Sequence, residues 1–467
     1  MKKFHVLSVI PVLLLLLLLG SCKKFLERPP EGQLTEEQAF TQQSDVVAFS
    51  NGIYTLFGNN QFYSGRHQVL NELLGDHYRG DRFTGDYAEI FKRQNSFFGG
   101  TRDDYYKLAY RIIADANIVI KHLDLATDAA VKSRLEGEAK LFRAMAHFEL
   151  VRMFAQPWGY SPDNSHLGVP IRTSVGLEPL PRSTVKQVYE QVIADLLSAE
   201  SLLPDVTPSG KFYTATKWAA KAFLARVYFQ QNDFANAFKY SNEVIASNKF
   251  TMDASFNSRF SQGLSTEGIL VLPDQVAPNQ LNPGGDLRGN FRSDLSIPGF
   301  TFTDQFYNTA NNRSADLRRA WYSNTLQSGF NVLTKYNKNF FDLPLIHLTE
   351  IRLIRAEAGA ETAGANLPVA IADINMIMTR AYGGTTFNLP GNATAAAVIA
   401  AARSERELEL VGEGNRTQEI KRIGARNNQN VDRRGSVWNC NGFILQFPKA
   451  EKDANTSFIM NVEGGCF

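Results

Sequence analysis

HLTEIRLIRAEAGAETAGANLPVAIADINMIMTRA, residues 347–381, reads as two helices, about 347–362 and 367–381, joined by a short link. Ala358 and Ala370 stand twelve apart, one on each helix. Small residues so placed let two antiparallel helices approach closely. The same spacing recurs at Ala225 and Ala237, within helices at 215–231 and 233–247 where Leu224 and Tyr228 share the first. Residues 138–152 and 184–202 read as a third pair with a long insertion between its halves. Such a pair cannot bury its apolar face alone, so the pairs are expected to stack around one core.

The spacing resembles the tetratricopeptide pattern. Other helices are expected from the Thr35 cap through Val46, Val47, Phe49, Ile53 and Tyr54, and over 104–125, 130–154 and 394–412. Three stretches are loop-rich: about 58–103, 155–183 and 250–340. The tail from 425 reads as irregular, and strand-like pieces are few (Gly268–Pro273, Gly442–Phe447). The expected fold is mostly α, with stacked helix pairs beside a loop-rich ligand-binding region, in a single domain over 35–467.

The amino terminus carries Lys2 and Lys3, an apolar run from Val6 to Leu19, then Leu19-Gly20-Ser21-Cys22. That order makes residues 1–21 a signal peptide, too short to span a bilayer as a mature helix. Leu-Gly-Ser-Cys resembles a bacterial lipobox, so Cys22 is expected to carry lipid, with 22–34 as the tether. Removing 1–21 takes Lys2 and Lys3 with it and leaves 47 basic against 47 acidic residues. A neutral chain argues against nucleic acid or anionic lipid as the main partner. Cys440 and Cys466 are the other two cysteines, and either a disulfide or two free thiols fits the sequence.

No CxxC, HExxH, nucleophile elbow, phosphate loop or dinucleotide fingerprint occurs, so no metal, cofactor or catalytic residue is expected. Arg406, Glu407, Glu409, Glu413 and Arg416 read as a packed, salt-bridged face rather than an acid/base pair. Glu350, Arg352, Arg355 and Glu357 read the same way. His147, on an apolar helix, reads as a satisfied core histidine.

The ordered segments resemble the SusD-like (RagB/SusD) family of outer-membrane lipoproteins of Bacteroidetes-type bacteria. They are CKKFLERPPEGQLTEEQAF (22–40), SDVVAFSNGIY (44–54), LEGEAKLFRAMAHFELVRMF (135–154), GVPI (168–171) and RSTVKQVYEQVIADLLSAESLLP (182–204). PLIHLTEIRLIRAEAGA (344–360), INMIMTRA (374–381) and RSERELELVGEGNRTQEIKRIG (403–424) complete the set. Glu419-Ile420 replaces the family's Asp-Leu pair, and the C-terminal motifs appear loosely as FPKAEKDAN and NVEGGCF. The resemblance implies a cell-surface lipoprotein that captures oligosaccharides and delivers them to a SusC-like TonB-dependent outer-membrane barrel. A peptide-binding RagB-like lid and a non-binding scaffold lid are the alternatives.

Capture of sugars asks for aromatic planes beside Asp, Asn and Arg on loops. Three loop clusters qualify. The first is Asp76, His77, Tyr78 and Arg79 with Asp81, Arg82 and Tyr87, where the resemblance places ligand contacts. The second is Trp158 and Tyr160. The third is Phe291, Arg292, Tyr307, Trp321 and Tyr322. Trp218 and Trp438 are assigned to the core.

Overall fold

The computed structural model describes residues 35–97, 99–207, 209–263, 265–274 and 285–466. The leader, Cys22 and the tether lie outside the described residues. The helices, in chain order, begin with α1 (Glu36–Ala39), α2 (Gln43–Phe57), α3 (Arg66–Leu74), α4 (Gly85–Phe91) and α5 (Gly100–Lys121). Next come α6 (Ala129–Phe154), α7 (Val185–Leu202), α8 (Lys217–Gln230) and α9 (Phe234–Ala246). After these lie α10 (Gly285–Phe291), α11 (Asp304–Ala310), α12 (Leu348–Thr362) and α13 (Leu367–Tyr382). The last are α14 (Ala395–Glu409), α15 (Arg416–Asn427) and α16 (Lys449–Ala454). Two small antiparallel sheets pair β1 (Gly268–Leu272) with β4 (Leu343–His347), and β2 (Tyr322–Ser323) with β3 (Val332–Leu333).

The expected pairs form: α6 packs on α7, α8 on α9, and α12 on α13. Stacking of α7 on α8 and of α9 on α12 joins the pairs into one layered body. Ala225, Ala237, Ala358 and Ala370 are all fully buried, as a close helix approach requires. Gly359 marks the tightest point: a Cβ there would lie 3.0 Å from the Phe238 ring and 3.2 Å from Ala370 Cβ. α6 is the central element, buried almost all round from Leu135 to Phe154. Its amino end is capped by Asp128, whose carboxylate accepts from Ala130 N at 2.8 Å and Val131 N at 2.9 Å. His147 lies within it at 0% exposure, between the Arg143 carbonyl (2.9 Å) and the Arg172 backbone N–H (3.2 Å).

Four local expectations need correction. The first helix is interrupted at Phe40–Gln42, because Asp45 turns back to accept from Thr41 N and Gln42 N and so starts a new helix. The charge-dense helix stops at Glu409. Gly412 (φ +74°) and Gly414 (φ +78°) turn the chain before α15, and a Cβ at Gly414 would meet Gln68 Cα at 2.9 Å. Gly442–Phe447 forms no strand, since Leu445 N donates to the Met153 carbonyl at the end of α6. The stretches 58–103 and 250–340 are not wholly irregular, for they hold α3, α4, α10 and α11.

The charged residues read as a packed face are buried to a degree the sequence did not show. Glu350 takes the Arg226 fork at 2.8 and 2.6 Å, and Glu357 takes Arg422 at 2.9 and 3.0 Å. Glu409 receives Arg259 and Arg380, each at 2.9 Å, and Arg318 at 3.2 Å. Another fully buried guanidinium, Arg93, is forked by Asp432 at 2.7 and 2.8 Å and bonded to the Leu74 and Gly75 carbonyls, each at 3.0 Å. This joins the first quarter of the chain to the tail.

Cys440 and Cys466 form a disulfide, with Cα atoms 5.2 Å apart and a sequence separation of 26. It closes a loop that Asn461 also pins, through the Phe154 and Leu445 carbonyls at 2.8 Å each. The loop-entropy relation assigns such a crosslink about 3 kcal/mol. Replacing both cysteines with Ser should therefore lower urea-unfolding stability by about that amount, with far-UV circular dichroism unchanged. An unchanged midpoint would show that the non-covalent contacts, those of Asn461 and the Asn95–Gly464 bridge among them, hold the tail.

Candidate ligand surface

Two of the three clusters come together. Tyr78 bridges Phe302 in antiparallel sense, Arg79 N donates to the Thr301 carbonyl at 2.8 Å, and Thr303 N donates to the His77 carbonyl at 2.9 Å. Phe302 N in turn donates to the Asn331 carbonyl at 2.8 Å, and Thr301 bridges Val332. Three backbone runs, 77–79, 301–303 and 331–332, thus lie side by side as a short irregular ladder. An aromatic layer supports them from beneath. Tyr78 stacks on Phe302 (4.9 Å between ring centres, 20°) and meets Phe300 edge-on at 5.1 Å, while Phe291 lies 4.3 Å from Phe300.

Several of the expected contact residues belong to this support and not to the surface. Tyr78 is 1% exposed, Trp321 2% and Tyr322 4%. Trp321 Nε1–H donates to Asn257 Oδ1 at 2.7 Å and the Tyr322 hydroxyl donates to the Leu408 carbonyl at 3.1 Å, so their polar ends are already satisfied. Phe291 is fully buried. Asp76 is buried and forked by Arg416 at 2.6 and 2.7 Å; that guanidinium holds its carboxyl down to about 2 against the effect of burial. Tyr87 on α4 and Tyr307 on α11 are half-buried against the core. Trp438 lies in the core at 7% exposure, whereas Trp218 is only partly covered.

The outer side of the ladder is polar and partly aromatic. Arg79 forks Asp81, with both bonds at 3.1 Å. Arg292 forks Asp294 at 2.6 and 2.9 Å and reaches Asn339 at 2.7 Å; its guanidinium lowers the Asp294 pKa. Arg82 is held by the Pro298 carbonyl at 2.9 Å and the Ile297 carbonyl at 3.3 Å, with its guanidinium 5.3 Å from the centre of the Phe330 ring. Asp304 accepts from the Asn331 amide at 2.8 Å. Leu295 and Phe340 stand exposed nearby in sequence, at 74% and 47%. Two arginines are paired with aspartates, and Arg82 is balanced in number by Asp304, so these residues offer many directed donors and acceptors with little net charge.

Asp294, Asp304, Phe330 and Asn331 were missed by sequence reasoning. The signal was present: Gln327-Ser328-Gly329-Phe330 is a turn, closed by Phe330 N donating to the Gln327 carbonyl at 3.0 Å, in which Gly329 takes φ +83°. The repeated Arg-x-Asp at 79–81 and 292–294 is a second readable mark, since each places a guanidinium and a carboxylate on one side of extended chain.

The remaining cluster lies apart. Trp158 packs on Tyr189 at 5.1 Å, and Tyr160, 43% exposed, sits near His166 (5.0 Å) and Trp438 (6.4 Å). Among the described residues, ligand atoms of Asp76, His77 and Glu407 come within 4.8 Å of one another, the spacing of a cation site. The guanidiniums of Arg416 and Arg433 already occupy both carboxylates, Arg433 meeting Glu407 at 2.7 and 2.9 Å, so the set does not fit a metal.

No described helix is long and apolar enough to cross a membrane. Residues 24–229 match a family model described as "Starch-binding associating with outer membrane". Among curated proteins, SusD-like protein P2 of Formosa agariphila is 30% identical over 253 residues, which is 52% of this chain and 46% of that protein. SusD-like protein P38 of the same organism is 27% identical over 267 residues, covering 54% and 48%. The chain thus spans about half the length of these relatives. A SusD superfamily protein from Bacteroides thetaiotaomicron superposes with a TM-score of 0.78 at 23% identity, over 90% of this chain and 100% of that one. A SusD-like carbohydrate binding protein from Bacteroides vulgatus gives 0.68 at 22% identity, over 82% and 84%. At these identities the likeness establishes the fold alone. The SusD family model itself matches residues 210–459, the half of the chain that carries the stacked pair α12–α13, the buried arginine–carboxylate lattice and the third loop cluster, and the chain belongs to that family.

Proposed function

We propose that this protein is an outer-membrane lipoprotein, a single 35–467 domain tethered by residues 22–34 to lipid on Cys22, that binds an oligosaccharide and passes it to a SusC-like TonB-dependent barrel. The observation that supports binding is the joined surface of Arg79, Asp81, Arg82, Arg292, Asp294, Asp304, Phe330 and Asn331, set on a buried aromatic layer. Sugar hydroxyls take hydrogen bonds from such forks and amides, and a C–H face of the ring has an aromatic plane in Phe330. Family membership and the outer-membrane association of the matched family support the outer-membrane setting. The transporter partnership rests on the family resemblance. Because its few charges balance, the surface suits a neutral glycan better than an acidic one. The middle run of the ladder, 301–303, is paired on both sides and so offers no edge for backbone addition of a peptide.

Metabolic acyl labelling of the intact chain should tag Cys22, and loss of the label in Cys22→Ala should accompany it. For binding, the test is calorimetry of residues 23–467 against a panel of neutral oligosaccharides and a peptide digest. Arg82→Ala or Phe330→Ala should weaken glycan binding by ~1–3 kcal/mol, scaled from stacking on aromatic rings, or roughly 5- to 150-fold. Binding of peptides alone would overturn the glycan assignment, and silence in both panels would favour a lid that binds nothing.

A further inference from the structure

His77 belongs to the ligand surface only through its backbone. Its carbonyl accepts from Thr303 N, and the next two residues pair with Phe302 and Thr301, so the joint between the first and third loops lies here. The ring points the other way, into the scaffold. Nε2 stands 3.0 Å from Glu407 Oε1 on α14, and Nδ1 stands 3.6 Å from Glu72 Oε2 on α3, an ion-pair distance. Asp76 Oδ1 is 3.9 Å from Nε2, and Phe306 of α11 stacks on the ring at 4.0 Å. Arg416 of α15 lies 3.4 Å from Glu407, and Arg433 of the tail binds Glu407 and, through its backbone N–H, Asp76 at 2.8 Å. Arg434, half-buried, turns to the Gly75 and Phe91 carbonyls. The ring is 2% exposed.

Both ring nitrogens therefore face carboxylate oxygens. Only the Nε2 contact is short enough for a hydrogen bond, and Nδ1 meets Glu72 as an ion pair alone. A neutral imidazole carries one N–H and would turn a lone pair on one of the carboxylates, whereas an imidazolium presents an N–H to each. The geometry points to His77, as imidazolium, as the positioning residue that fixes the two loops of the ligand surface to the helical scaffold. Burial opposes the charge, but Glu407 and Glu72 outweigh it and raise the pKa above the usual 6.5. A raised histidine pKa adds stability that is complete below 6.5 and is lost as pH rises through the folded-state titration. The joint should therefore loosen on the alkaline side.

The inference takes its meaning from the surface proposed above, but its test needs no ligand. Histidine C2-hydrogen exchange read by mass spectrometry, on residues 23–467, gives the titration of His77. Amide exchange of peptides covering 76–83 and 297–305, corrected for intrinsic rate, gives the opening of each loop between pH 6 and 9. His77 should titrate above 6.5. Both loops should open together across that titration, about tenfold for each unit of difference, while α6 stays protected. His77→Gln should open both loops at pH 6 and flatten the profile. A His77 titration below 6.5, a flat wild-type profile, or opening of only one loop overturns the inference. A flat profile beside measured glycan binding would remove it and leave the proposed function standing; opening without any glycan binding would do the reverse.

Discussion

Replacing Glu409 with Ala should destabilise the protein by ~3–5 kcal/mol, or leave no folded material at all. Its carboxylate has no exposure and stands against three guanidiniums, Arg259, Arg318 and Arg380, which themselves lie at 0, 1 and 5% side-chain exposure. Those charges hold the Glu409 carboxyl far below the usual carboxylate range despite its burial. Removing the anion leaves three buried cations to share the remaining carboxylates, Asp316 and Glu405 for Arg318, Glu267 for Arg380, and Glu267 and Glu413 for Arg259, with one negative charge fewer where water cannot reach. The stabilisation such a pair supplies against an apolar alternative is small; the penalty for breaking one side is large. A control is at hand in Lys449–Asp453, an i,i+4 pair at 70% and 58% exposure, whose loss should cost under about 1 kcal/mol. Urea unfolding of the two variants side by side decides the matter. Similar midpoints would mean that solvent enters the lattice and screens it.

Trp321→Ala is the second large effect, at ~3–5 kcal/mol of stability. The indole meets Phe256 edge-on at 4.7 Å, carries the Lys335 ammonium 4.3 Å from its ring centre and donates to Asn257. Truncation opens a cavity and leaves Asn257 Oδ1 without that donor. The result separates support from surface. Trp321→Ala should lower the thermal midpoint by several degrees, yet glycan affinity below that midpoint should change far less than in Arg82→Ala. A variant with native stability and no binding would instead place Trp321 at the ligand.

These two residues show what the sequence could and could not say. Ala225, Ala237, Ala358 and Ala370 were legible because a helix repeats: one spacing states which sides meet, and the structure packs those sides together. Loops have no period. Trp321 ends a single 3-10 turn and Phe330 follows a loop turn nine residues later; neither segment repeats, so nothing local tells that one side chain turns inward and the other stays partly exposed. The difference is set by partners far off in sequence, Phe256 and Asn257 for Trp321 and Arg82 for Phe330. Glu409 is an intermediate case. Its charge-dense context was readable as a salt-bridged face, but its depth was not, because burial there depends on Arg259, Arg318 and Arg380 arriving from other elements.

The clasp of Arg93 by Asp432 has a consequence for the order of events during folding. Arg93 waits 339 residues for its carboxylate, Asp76 waits 340 for Arg416, and His77 waits 330 for Glu407. Until residues 407–432 have emerged, those groups lack the distant partners that make their burial favourable, and the segment around them gains little by collapsing early. The helix pairs from α6 to α9 rest on contacts close in sequence and face no such delay. The nascent chain is thus divided in time: a scaffold that condenses as it is made, and a ligand-facing side that stays open until synthesis ends.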